Sequence, residues 1–271
     1  MLYKTFQPHA DLKHLVKFYW TLEVPFDPNN VAQKIIPDGC IEMTFNFGDG
    51  IKRYISEDEY VVHPSSMVMG QRTQSFLIEP LGHVSSFAIC FYPHGFANFV
   101  NIPLQDLINA EVSIEKIFKS DEAQDLEHKM FNATDNAQRV EIIESFLLNQ
   151  LSQTSTINNI VKSTVDSIIA TKGSKSIGSI LDERISERRK LERYFKKQIG
   201  LSPKQLGKIL RLHAALKMML EDEPQSLTSI AYENEYFDQA HFNKDFKEFT
   251  GISPREFLGD GTMALSTLFY K

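Results

Sequence analysis

The amino-acid sequence predicts an α+β chain of several domains: a β-rich N-terminal barrel or sandwich, a helical connector, and an all-α C-terminal domain with two helix-turn-helix units. Three observations lead there. Apolar residues recur with period 2 up to about residue 110 and with a helical period beyond it. A segment of the C-terminal part repeats without gaps at an offset of 51 residues. A short basic block interrupts a chain that is acidic overall. The expected divisions are 1–110 for the β-rich sensor or dimerisation domain and 111–171 for a helical connector packed on it. Residues 172–258 are expected to form the repeated helical domain, and 259–271 a tail.

The strands come first. A helix is expected at Asp11–Phe18, then Phe18–Val24 reads as a strand because aromatic and β-branched residues dominate it. Ile41–Phe47 alternates apolar and polar residues before Gly48-Asp49-Gly50, and Ile51–Ile55 continues the hairpin. Tyr60–Val62, Met67–Met69, Phe76–Ile78 and Phe87–Tyr92 are further short runs between turn residues. From about Glu111 the period becomes helical: Val140, Ile143, Leu147 and Leu151 share one face, as do Ile157, Ile160, Val161, Val165, Ile168 and Ile169. Thr171–Ser174 breaks the pattern before the last domain.

The repeat aligns Leu191–Leu206 with Phe242–Phe257. Leu191/Phe195 and Phe242/Phe246 are i, i+4 core pairs. Gly200 and Gly251 suit the left-handed residue that ends a helix. Ser202-Pro203 and Ser253-Pro254 fit an N-cap followed by Pro at the first helical position. A short helix and turn precede each repeated helix, at Ile177–Glu183 and at Leu227–Asn234. Helix, tight turn, helix is the outline of a unit whose second helix enters the DNA major groove. The candidate recognition helices are about Glu187–Gln198 and Asp238–Thr250.

Charge sharpens this reading. With 29 Lys+Arg against 35 Asp+Glu the chain carries a net charge of −6, an average that argues against binding phosphates. Arg184–Lys217, however, holds 11 basic residues against Glu187 and Glu192, whereas Met218–Leu258 holds 3 against 9 acidic ones. In the first recognition helix Arg189 and Arg193 are base-contact candidates, because a guanidinium can grip guanine O6 and N7 together. Gln239, His241, Asn243 and Lys244 are the base-contact candidates of the second. Arg188, Lys190, Lys196, Lys197, Lys204 and Lys247 are expected on the DNA backbone, where ammonium and guanidinium groups neutralise phosphate. Glu192 is positioned to pair with Lys196 one turn on.

These residues resemble the double helix-turn-helix domain of AraC/XylS-type bacterial transcription regulators over about 175–258. The second unit carries the resemblance through Ile230-Ala231, Tyr236, Asp238-Gln239, Phe242, Phe246-Lys247, Gly251 and Ser253-Pro254. The first carries it through Leu191, Arg193, Phe195-Lys196, Gly200 and Ser202-Pro203. Ile36–Glu42 also resembles a β-rich sensor-like domain found ahead of the DNA-binding domain in some members. The resemblance implies a sequence-specific regulator with double-stranded DNA as partner and a small-molecule effector or dimerisation acting through the N-terminal domain. It also implies a homodimer and contact with RNA polymerase, for activation or repression. A partner-binding or dimerisation module with a degenerate DNA-binding domain is the alternative. Two departures stand out. The family's turn glycine is replaced by Glu235, so either Glu235 bears the strain or Asn234 takes the left-handed conformation; its counterpart in the first unit is Arg184. The first recognition helix could be capped by Ser186 or by Glu187.

Other chemistry is not expected. His63, His83 and His94 lack metal-ligand spacing, and Cys40 and Cys90 form no CxxC pair and read as buried thiols of a cytoplasmic protein. Trp20 and the 20 phenylalanines read as core. No nucleotide-binding or nucleophile-elbow motif occurs, and no enzyme activity, metal or cofactor is expected. Neither a secretory signal nor a membrane span is apparent.

Overall fold

The computed structural model describes residues 1–271 except 30, 154–156, 176–178, 180–184, 222–224 and 271. Among the described residues ten strands form two antiparallel sheets. Strands β1 (Leu2–Phe6), β2 (Val16–Val24), β4 (Ile41–Asn46), β7 (Ser66–Met69), β9 (Val84–Phe91) and β10 (Glu111–Ser113) make one, in the order β1-β2-β9-β4-β7-β10. Strands β3 (Gln33–Ile35), β5 (Ile51–Tyr54), β6 (Tyr60–Val62) and β8 (Phe76–Pro80) make the other, in the order β3-β8-β5-β6. The expected helix at Asp11–Phe18 is instead a hydrogen-bonded turn, with Leu12 and Lys13 both donating to the His9 carbonyl, and β2 starts at Val16. Aromatic and β-branched residues from Val16 onward favour the pleated surface over continuing that turn. Glu111, expected at the start of the helical connector, begins a strand that pairs with β7.

The period-2 alternation divides the large sheet into two faces. Tyr19, Ile41, Met43, Phe45, Phe87, Ile89 and Phe91 point to a core closed by helices α1 (Ser120–Asn132) and α2 (Asn136–Gln153). Ala123, Leu126 and Met130 of α1 and Ile143 and Leu147 of α2 complete that core. Trp20, Leu22, Cys40, Val84, Ala88 and Cys90 point the other way, toward Ile35, Ile51 and Ile78 of the small sheet. A helix layer therefore covers the strongly apolar face, and the mixed face meets the second sheet.

Helix α3 (Asn159–Ala170) follows the connector in sequence but not in packing. Its Val161, Val165 and Ile168 join the C-terminal core with Leu191, Phe195, Phe242 and Phe246. Lys172 and Gly173 then take left-handed conformations and turn the chain. The C-terminal helices are α4 (Ile185–Ile199), α5 (Pro203–Met219), α6 (Leu227–Glu233), α7 (Gln239–Thr250), α8 (Pro254–Phe257) and α9 (Ala264–Tyr270). Ser202 and Ser253 form capping boxes with Gln205 and Glu256, each with Pro at the first position, and Gly200 and Gly251 have φ of 91° and 81°. The expected tail is no tail. Helix α9 docks on the small sheet: Ser266 Oγ donates to the Lys34 carbonyl at 2.6 Å, and Phe269 lies 5.4 Å from Trp20, centre to centre. Leu265, Leu268 and Phe269 give it an apolar face to bury. Among the described residues no helix is long and apolar enough to cross a membrane.

A buried charge cluster ties β10 to both sheets. The Glu111 carboxylate meets Arg53 Nε at 2.8 Å, His63 Nε2 at 3.6 Å and the Arg72 guanidinium. Burial alone would raise the Glu111 pKa, but His63, Arg72 and Arg53 outweigh it and hold it at about 2, against an ordinary 4.5. A depressed carboxylate contributes stability above its unfolded pKa and loses that contribution as it protonates. Acid unfolding between about pH 4.5 and 2 should therefore be steeper in the wild type than in Glu111→Gln. At pH 7 the variant, which leaves two buried guanidinium groups unpaired, should lose about 3–5 kcal/mol in urea denaturation.

Candidate nucleic-acid interface and adjoining cavity

Helix α4 buries Leu191, Phe195 and Ile199 and exposes Arg188, Arg189, Lys190, Arg193, Lys196 and Lys197. This amphipathic split leaves six of the sequence-predicted basic residues in solvent. Arg193 also lies over the Tyr194 ring, at 5.1 Å. Glu192 pairs with Arg188 at 3.3 Å rather than with Lys196. The helix is already formed at Ile185, so neither Ser186 nor Glu187 is its N-cap. The expected Ile177–Glu183 helix and the Arg184 turn lie outside the described residues, Ser179 apart.

Helix α7 buries Phe242, Phe246 and Phe249 on α5 and α6. Asp238 caps it by accepting from the His241 backbone at 2.7 Å. The preceding turn is resolved in favour of strain: Glu235 has φ of 55°, whereas Asn234 has φ of −98°. Asn234 is instead buried, its side-chain amide donating to the Ile230 carbonyl at 2.8 Å. Of the predicted base contacts, Lys244 is exposed and Gln239, His241 and Asn243 are half-buried. Gln239 accepts from Thr228 Oγ1 at 2.8 Å, which fixes its amide. His241 packs edge-on against Tyr236 at 5.3 Å and faces Asp245 at 3.8 Å, so part of its ring serves the fold. Lys204 and Lys247 are exposed.

Two basic residues of α5 act inside the domain, a role spacing did not disclose. Lys208 Nζ bridges Asp245 at 3.0 Å and Glu248 at 3.1 Å. Burial opposes the Lys208 charge, but these hydrogen bonds prevail and raise its pKa. Arg211 donates to the Glu235 carbonyl at 3.5 Å and lies 4.7 Å from the Tyr236 ring centre. Much of the second unit's acidity is therefore satisfied internally. Asp245, 2% exposed, is a structural counter-ion rather than a repulsive charge toward DNA.

Beside this domain lies a cavity of about 1030 Å³ between the two sheets, bordered by α5 and α9. Trp20, Leu22, Ile51, Ile78, Leu265 and Phe269 make it largely apolar. Lys17, Asp38, Cys40 and Glu42 add polar groups from the β-domain, and His213 and Lys217 add them from α5. A register shift between Val16 and Phe18 marks a bulge at Lys17, whose side chain reaches the same cavity as that of Phe18. Burial and the nearby Asp38 lift Glu42 to about 7, and burial lowers His213 to about 4. Trp20, read from sequence as core alone, lines this cavity and donates from its indole to Glu42 at 3.0 Å.

The β-domain also touches the chain at the ends of α4 and α7. Ser75 N–H donates to the Phe249 carbonyl near the end of α7 at 3.0 Å. Gly200, just past α4, lies so close to the Leu104 carbonyl that an added Cβ would sit 3.0 Å from it.

Residues 185–260 match a family model described as a helix-turn-helix domain. Residues 4–113 match one described as a domain of unknown function (DUF6597). None of the curated proteins matches the chain. Similar solved structures include ToxT from Vibrio cholerae, 14% identical, covering 91% of this chain and 99% of that one with a TM-score of 0.48. Another is ToxT from Vibrio cholerae O395 bound to (E)-4-(8-methylnaphthalen-1-yl)but-3-enoic acid, 12% identical over 89% of this chain and 98% of that one, TM-score 0.48. A third is unsaturated fatty acid bound wild-type ToxT from Vibrio cholerae strain SCE256, 14% identical over 88% and 93%, TM-score 0.45.

The strained turn gives a direct test of the second unit. Glu235→Gly removes a left-handed conformation that costs an L-residue about 1–2 kcal/mol, offset by glycine's larger unfolded-state entropy. The variant should gain about 0.5–1 kcal/mol in chemical denaturation, because the Arg211 bond is to backbone and survives.

Proposed function

We propose that this chain, whose residues 185–260 are a helix-turn-helix domain of the AraC type, is a sequence-specific DNA-binding transcription regulator controlled by a small molecule held in its N-terminal domain. The observation that carries the DNA-binding reading is the paired helix α4 and α7 arrangement. Each buries an apolar face in one shared core, and the exposed side of α4 is almost wholly basic. On this reading Arg189 and Arg193 read bases from α4, and Gln239, His241, Asn243 and Lys244 from α7. Arg188, Lys190, Lys196, Lys197, Lys204 and Lys247 meet phosphates. Lys208 and Arg211 are left out, because their charges hold α7 in place. The reading assigns no catalytic step. It includes a homodimer and contact with RNA polymerase as the means of acting on transcription.

The effector reading rests on the cavity. Its walls suit an apolar or amphiphilic molecule, with a few polar groups to orient it. Because α5 borders the cavity and also holds α7 through Lys208, a molecule that moves α5 changes the spacing of the recognition helices.

Duplexes selected from a random library by the full chain should bind with a strong salt dependence. Arg193→Ala should cost about 1–3 kcal/mol on the selected site and relax preference at one position; a uniform loss on all sequences would reassign it to phosphate. Lys196→Ala should lower the slope of log K against log salt by about 0.9. Absence of any salt-dependent binding would leave the alternative, a partner-binding or dimerisation module. Trp20 is the single tryptophan, so its emission should change in a saturable way on titration with dodecanoate or dodecanol. An unresponsive Trp20 across such amphiphiles would remove the effector reading and leave DNA binding untouched.

A further inference from the structure

We infer that the floor of the cavity is a binding site for a thiophilic divalent cation of the Zn²⁺ class, with Cys40, Cys90 and Asp38 as its ligands. One ligand atom from each of the three residues lies within 4.8 Å of the other two. Two different parts of the fold bring them there. Cys90 is on the central strand β9. Asp38 and Cys40 flank Gly39, whose φ of 80° bends the chain so that both side chains face one point. The turn is fixed from two sides: Cys40 N–H donates to Asp38 Oδ1 at 2.9 Å, and Gln71 Nε2 donates to the Gly39 carbonyl at 2.8 Å.

The donor set suits the ion. Two sulfurs and a carboxylate oxygen are borderline-to-soft ligands that bind Zn²⁺ at roughly 2.0–2.3 Å and disfavour Mg²⁺ or Ca²⁺. Tetrahedral ligation needs ligand atoms about 3.5–3.8 Å apart, so the side chains would have to close on the ion from separations of up to 4.8 Å. Two thiolates and a carboxylate carry three negative charges, the ion two positive ones, and the Lys17 ammonium one more. Lys17 and Cys40 line the same cavity. The two thiols lose one proton each as the ion enters. Cys90 is buried and Cys40 lines the cavity, so the cavity is the side from which an ion would reach them. On that side lies His213 of α5, which interacts electrostatically with Asp38. An ion here would sit where the β-domain and the helical domain meet.

The test uses the full chain, reduced, freed of metal with a chelator and titrated with Co²⁺ as a spectroscopic probe. A near-ultraviolet thiolate-to-cobalt band should grow to saturation at one equivalent and bleach when Zn²⁺ is added. Cys40→Ser and Cys90→Ser should each remove at least half of its intensity, and Asp38→Asn should weaken cobalt affinity about tenfold or more while retaining the band. The wild-type titration stands alone if a variant fails to fold. Absence of the band from the reduced wild type overturns the proposal, as does a band unchanged in Cys90→Ser. A chain that forms a Cys40–Cys90 disulfide in air yet takes up no cobalt when reduced overturns it equally.

Discussion

The structure turns on the loop Ile36–Glu42, and within it on Gly39. A Cβ at Gly39 would stand 3.1 Å from Leu206 Cδ1 and 3.3 Å from Leu210 Cδ2, both on α5. Its φ of 80° is one that side-chain-bearing residues rarely adopt. The loop can cross from the small sheet to β4 at this height only because glycine lets α5 close down on it. Ile36, just before, is buried in the C-terminal core, while Ile41, just after, is buried between the large sheet and α1–α2. Four residues, Pro37–Cys40, thus join two hydrophobic cores through one tight turn. The same turn starts β4 in the register that sends Met43 to the helices and Glu42 to the cavity.

Helix α5 is the complementary element. Its first turn is fixed by the Ser202 capping box directly after Gly200 closes α4. Its middle holds α7 through Lys208 and the α6–α7 turn through Arg211. Farther along, His213 and Lys217 border the cavity. Partly buried ion pairs are modest sources of net stability, because desolvation offsets much of the attraction. Their value here is positional: a lysine held by two carboxylates 37 and 40 residues away allows α7 few alternative angles.

Much of this was legible in the sequence, and the boundary of legibility is physical. The repeat, the glycine stops and the Ser-Pro starts report local backbone constraints, and each appears where its chemistry requires. The period-2 pattern of Ile41–Phe47 announced a strand with two unlike faces. It could not say that the apolar face meets α1 and α2 while the polar one lines a cavity, since alternation carries no information about what lies opposite. The same limit hid Trp20 as a cavity residue, the docking of α9, and the meeting of Cys40 with Cys90, all products of long-range pairing. Glu235 is a different case. The sequence marked the turn as strained, and Asn234 would have borne the strain better. It is unavailable because its buried side chain already serves the Ile230 carbonyl.

The net charge of −6 takes its meaning from the same geometry. The basic block Arg184–Lys217 does not act as a uniform electrostatic surface, because its members have separate duties. Arg188 is paired to Glu192, Lys208 to Asp245 and Glu248, Arg211 to the Tyr236 ring, and Lys217 faces the cavity. Exposed on α4 are Arg188, Arg189, Lys190, Arg193, Lys196 and Lys197, with Lys204 at the start of α5. Each phosphate neutralised contributes through counterion release, so a small set of contacts gives weak nonspecific affinity. On the proposed function, such a regulator depends on its base contacts to hold a site, and those depend on the angle between α4 and α7. That angle is set by α5, which is also pressed against Gly39. A shift in the packing of the cavity wall would therefore be felt most strongly by specific binding, where alignment matters, and least by the diffuse attraction to phosphate.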